Sequence, residues 1–72
     1  MTGLFAERAR SQGKRVRTRA GLMDAAAEAF ASTGVEAASI NAIAHAANVS
    51  NGTFYNHFRD KDEIWLKLRW TF

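Results

Sequence analysis

The stretch INAIAHAANVSNGTFYNHFRDK, residues 40–61, constrains the fold more than any other part of the chain. Ile40, Ile43, Ala44 and Ala47 recur at i, i+3, i+4 and i+7, one face of a helix, while Asn41, Ala42 and His45 point elsewhere. Ser50 then offers a capping hydroxyl to a second short segment dense in hydrogen-bonding side chains. Two short helices joined by a tight turn are the layout of a helix-turn-helix. A β-hairpin competes with this reading, because Asn51-Gly52 is a strong turn dipeptide and Thr53, Phe54 and Tyr55 favour strands. Its other arm would be Ala46-Ala47-Asn48-Val49-Ser50, which shows no alternation, whereas Val49, Phe54 and Phe58 suit a helix docked on its predecessors. The helix is preferred.

With no proline and no repeat, glycine, polar caps and periodicity segment the rest. A first helix is predicted from about Arg15 to Ser32 on the stripe Leu22, Met23, Ala26, Ala29 and Phe30, with Gly34 as its left-handed cap. Ser39 caps a second, Ile40 to Ala47, which Asn48 ends. The third runs from Ser50 or Asn51 to His57 or Phe58, with Phe54 and Phe58 as an i, i+4 pair. Asp60 caps a fourth, with Ile64, Trp65, Leu68 and Phe72 on one side and no terminator after it. The expected class is all-α: a three-helix helix-turn-helix bundle, homeodomain-like, plus the start of a fourth helix. Residues 1–14 read as a flexible basic N-terminal arm, 15–59 as the three-helix domain with its helix-turn-helix at 39–58, and 60–72 as the fourth-helix start.

Size and composition exclude much. A chain of 72 residues is one small domain, and at this length folding buries only about 60% of the chain's surface, so a large catalytic cleft is not expected. Without cysteine there is neither a disulfide framework nor a thiolate metal site, and His45 and His57 make a poor metal pair. Ser50, His57 and Asp60 can be imagined as a triad, but they fall within one short helix and its exit, with no pocket to exclude water. No enzyme, cofactor or metal is expected. No apolar run approaches the roughly 18 residues of a membrane span and no signal-peptide pattern opens the chain, so it reads as cytoplasmic.

Charge is concentrated at one end. The net charge is +3, yet residues 1–19 alone hold Arg8, Arg10, Lys14, Arg15, Arg17 and Arg19 against Glu7. A polyanion is the natural partner of such a segment, although a basic tail can also be merely solvated. Two other readings use different parts of the chain. The Arg-rich start has the composition of a membrane-surface segment. The apolar fourth helix, with Trp65, Leu68, Trp70 and Phe72, would suit a protein-interaction module.

Arg19, then Leu22-Met23-Asp24-Ala25-Ala26 with Phe30 and Gly34, then Ile43-Ala44, Ala46-Ala47-Asn48-Val49-Ser50, Gly52, Tyr55, His57-Phe58 and Lys61 resemble the N-terminal DNA-binding domain of tetracycline-repressor (TetR) family transcription regulators. The likeness covers roughly Thr18 to Ile64. It departs from the family where Asn48 stands at a turn position usually filled by glycine, and asparagine tolerates that left-handed conformation next best.

The helix-turn-helix layout puts Asn51, Gly52 and Thr53 at the base-reading tip: asparagine can pair with adenine, threonine can offer a hydroxyl or a methyl, and glycine lets the backbone approach. The resemblance implies that Ser50, Tyr55, His57 and Lys61 ring that tip as DNA-backbone contacts, and Asn56 is counted with them. Ser39 can do likewise at the opposite edge, although an ordinary cap explains it equally well, and Arg15, Arg17 and Arg19, leading into the first helix, can track a phosphate strand or enter the minor groove. Protonation would strengthen the His57 contact below pH 7. The resemblance further implies a bacterial cytoplasmic repressor that binds palindromic operators on double-stranded DNA as a homodimer. Its small-molecule effector would bind a following domain that this chain does not contain, which leaves the present stretch a monomer.

Overall fold

The computed structural model describes residues 3–71, arranged as α1 Leu4–Arg8, α2 Lys14–Thr33, α3 Ile40–Ala46, α4 Asn51–His57 and α5 Lys61–Thr71. Helices α2 to α5 are the four expected from the sequence. Among the described residues there is no strand, so Asn51-Gly52 opens a helix rather than a hairpin. Met1 and Thr2 of the arm, and Phe72 of the last stripe, lie outside the described residues.

Local chemistry sets the helix ends. The Ser39 hydroxyl accepts the Ala42 N–H at 3.0 Å and starts α3, as the Ser50 hydroxyl accepts the Thr53 N–H at 3.1 Å and starts α4. Before α5, Asp60 accepts the Glu63 N–H at 2.9 Å while the Glu63 carboxylate accepts the Arg59 N–H at 3.1 Å, a reciprocal pair close to a capping box. Gly34, at φ 86°, follows α2 and donates its N–H to the Phe30 carbonyl at 2.9 Å. Asn48, at φ 62°, is the one non-glycine residue of positive φ among those described. It makes the turn between α3 and α4, as its place in the sequence suggested.

The core is where the helix stripes meet. Leu22, Ala26 and Phe30 of α2 pack with Ile43 and Ala44 of α3, Phe54 of α4, Phe58 just after it, and Ile64 and Leu68 of α5. Phe54 and Phe58 are almost wholly buried, with ring centres 5.7 Å apart, and each burial favours folding by about 1.5–3 kcal/mol. The short α4 is thus seated on the two largest buried side chains. Trp65 stays partly exposed and meets Phe30 edge-on at 5.7 Å.

The start of the chain differs from expectation. Instead of a flexible arm over residues 1–14, α1 folds back on α2, and the Asp24 carboxylate accepts the N–H groups of Phe5 at 2.9 Å and Ala6 at 2.8 Å. Asp24 caps the first turn from across the fold. Ala9 is buried, and Phe5 packs against the core. Gly3 sits so near that a Cβ there would overlap the Asp24 carboxylate. The apolar positions between the basic residues and a distant acid decide the conformation.

Candidate nucleic-acid interface

Seating α4 on Phe54 and Phe58 turns its other side outward. Asn51, Gly52, Tyr55 and Asn56 are exposed, while Thr53 and His57 are half-buried at the flanks. A Cβ on Gly52 would meet only Ser50 Oγ at 3.7 Å, so space above that backbone is open. Ser50 Oγ also pairs with Thr53 Oγ1 at 3.1 Å, fixing the threonine hydroxyl against the cap. Tyr55 is 55% exposed, its ring edge-on to Phe54 at 5.6 Å. It is therefore a surface side chain rather than a core aromatic. The structure brings Ser50, Asn51, Gly52, Thr53, Tyr55, Asn56 and His57 together on one short helix and its cap.

Cations surround the other end of that helix. Arg15 donates to the Asn56 carbonyl at 3.4 Å, and Arg19 donates to the His57 carbonyl at 3.3 Å while its guanidinium lies over the Phe58 ring at 4.5 Å. Positive charge at a helix C-terminus complements its dipole. Burial, then the charges of Arg15 and Arg19, hold the His57 imidazole below its ordinary value of 6.5. In the free protein the protonated form of His57 consequently appears at lower pH than the sequence suggested.

Several expected phosphate contacts are engaged elsewhere. Lys61 Nζ donates to the carbonyls of Val35 at 2.8 Å, Glu36 at 3.1 Å and Ala38 at 2.8 Å. An ammonium has three protons, so in this conformation none is left for a phosphate. Lys61 ties the start of α5 to the loop between α2 and α3. Arg19 likewise binds the end of α4 from α2. Arg17 is exposed near the start of α2, and Ser39, though its oxygen caps α3, retains a hydroxyl proton to donate outward. Arg15, expected with Arg17 and Arg19 on a phosphate strand or in the minor groove, instead shares a face of α2 with Arg19 at i, i+4 and donates to the end of α4.

Comparison with known proteins adds a decisive match: the model of the family described as "Bacterial regulatory proteins, tetR family" fits residues 22–68, from within α2 into α5. The chain belongs to the tetR family. It is 39% identical, over 62 residues, to a protein of Escherichia coli (strain K12) named "Probable acrEF/envCD operon repressor", a match covering 81% of this chain and 28% of that protein. It is also 37% identical over 51 residues to the "HTH-type transcriptional regulator AcrR" of Shigella flexneri, covering 71% of this chain and 24% of that one. The chain thus spans about a quarter of the length of the curated relatives it matches. No solved structure matches. The matched region is the family's helix-turn-helix, and tetR-family proteins are DNA-binding regulators rather than enzymes. Among the described residues no helix is long and apolar enough to cross a membrane.

Proposed function

We propose that this chain is the operator-reading part of a tetR-family repressor, with α4 in the major groove of double-stranded DNA. The observation that carries this reading is the open polar face of α4, held on buried Phe54 and Phe58. Asn51, Gly52 and Thr53 meet base edges at the first turn. Ser39, Ser50, Tyr55, His57 and Arg17 contact the sugar-phosphate backbone, which fixes register without reading sequence. Lys61 and Arg19 act one step back, holding the loop before α3 and the end of α4. The repressor role is taken from the name of the Escherichia coli relative. The whole protein is a homodimer on a palindromic operator, its two α4 helices in successive major grooves, with a small-molecule effector bound outside this chain.

A single module of this kind buries roughly 600–1,000 Å² of protein surface on DNA, so the isolated chain binds one half-site weakly. Fluorescence anisotropy with labelled duplex DNA tests the reading. Asn51→Ala and Tyr55→Ala should each lower affinity while the far-ultraviolet circular dichroism stays unchanged. Affinity should also fall with added salt, each phosphate neutralised by an arginine or lysine adding about −0.9 to the slope of log affinity against log salt. Binding that ignores both substitutions and salt would remove α4 from the interface.

A further inference from the structure

Asn51, Gly52, Tyr55 and Asn56 stand at i, i+1, i+4 and i+5, so the exposed residues of α4 share one face. The side-chain amides of Asn51 and Asn56 form no hydrogen bond among the described residues; only the backbone carbonyl of Asn56 is engaged, by Arg15. The Thr53 hydroxyl is held by Ser50. No lysine or arginine lies in α4, and the guanidiniums of Arg15 and Arg19 are turned to its C-terminal carbonyls.

The chemistry of that face is selective. Guanine shows two acceptors in the major groove, N7 and O6, and is matched by arginine or lysine. Adenine shows an acceptor at N7 and a donor at N6, which a carboxamide matches with its own donor and acceptor. Resting on the DNA-binding reading above, we infer that α4 selects half-sites containing two adenines, one read by Asn51 and the other by Asn56. Asn56 is then a specificity-determining residue, not a phosphate contact. Five residues of helix rise about 7.5 Å. Base pairs stack about 3.4 Å apart, so the two adenines fall about two steps apart along the groove. Tyr55 lies on the same face between them, and the missing side chain at Gly52 lets the helix approach closely enough for both amides to reach.

The test is selection from a randomised duplex pool by the 72-residue chain, followed by 7-deazaadenine at the enriched positions. That base keeps its Watson–Crick pairing and loses only the N7 acceptor. Two enriched A·T pairs about two steps apart are expected, each 7-deazaadenine weakening binding by about five- to 150-fold. Asn56→Ala should erase the preference and the 7-deazaadenine effect at one position, and Asn51→Ala at the other. Enriched G·C pairs at those positions would overturn the inference while leaving DNA binding intact, as would an Asn56→Ala loss that is equal for every base. Failure to enrich any duplex would instead overturn the DNA-binding reading, and this inference with it.

Discussion

The Arg19 guanidinium lies 4.5 Å from the centre of the Phe58 ring and donates to the carbonyl next to that ring, His57, at 3.3 Å. One side chain of α2 therefore holds both the aromatic anchor and the backbone end of α4. Cation–π contacts contribute about 0.5–1 kcal/mol when exposed and about 2 when desolvated. Arg19→Ala should lower stability by about 1 kcal/mol, or the Tm of a domain this small by about 4–8 °C. Arg17→Ala, at an exposed position, should leave the Tm unchanged and flatten the salt dependence of DNA binding by about 0.9 in slope. Equal melting temperatures for the two variants would show that Arg19 holds nothing.

Lys61 offers a contrast between tying the fold and touching DNA. Lys61→Met would leave the Val35 and Ala38 carbonyls, both in part-buried hydrogen bonds, without their charged donor. Stability measured by urea unfolding should drop by about 2 kcal/mol. The salt slope of DNA binding should not change, because the ammonium is occupied within the protein. A slope shallower by about 0.9 would return Lys61 to the phosphate backbone.

Asn48 carries the turn at φ 62°. Asn48→Gly should be neutral or slightly stabilising, since glycine enters the left-handed region freely. Asn48→Val, β-branched at positive φ, should destabilise by about 1–2 kcal/mol. Thermal melts of the two variants that coincide with the parent would mean the turn relaxes into another conformation.

His57 links stability to pH. Its folded-state value is held below the ordinary 6.5 by burial and then by Arg15 and Arg19, so around 6.5 the unfolded chain binds more protons than the folded one. Stability then rises with pH through the window between the lowered value and 6.5, and is lost as pH falls through it. His57→Gln should flatten the stability–pH curve in that window, as followed by urea unfolding at several pH values. A curve unchanged by the substitution would place the titrating group elsewhere.

Asp24 holds the first turn of α1 through Phe5 and Ala6. Asp24→Ala should release both amides, seen as faster hydrogen exchange at those positions with slow exchange kept at Phe54. Unchanged protection at Phe5 and Ala6 would mean that packing alone keeps α1 in place.

The helix-turn-helix was legible because its determinants are local. Ser39, Ser50 and Asp60 each cap a partner three residues on, Asn48 adopts its turn conformation by itself, and the apolar spacing marks the face that Ile43, Phe54 and Phe58 bury. The polar residues of α4 were legible for the same reason, since a helix seated on Phe54 and Phe58 must present Asn51, Tyr55 and Asn56 to the outside. The sequence on its own thus determined helices α2 to α5, the turn and the outward face. Only the tertiary structure decided what Arg19, Lys61 and Asp24 do. Their hydrogen bonds reach backbone groups 38, 23 to 26, and 18 to 19 residues away. A backbone carbonyl or N–H is the same in every residue that bears it and leaves no mark in the sequence. A cation suited to phosphate is equally suited to a carbonyl, and the packing of the helices settles which of the two it meets.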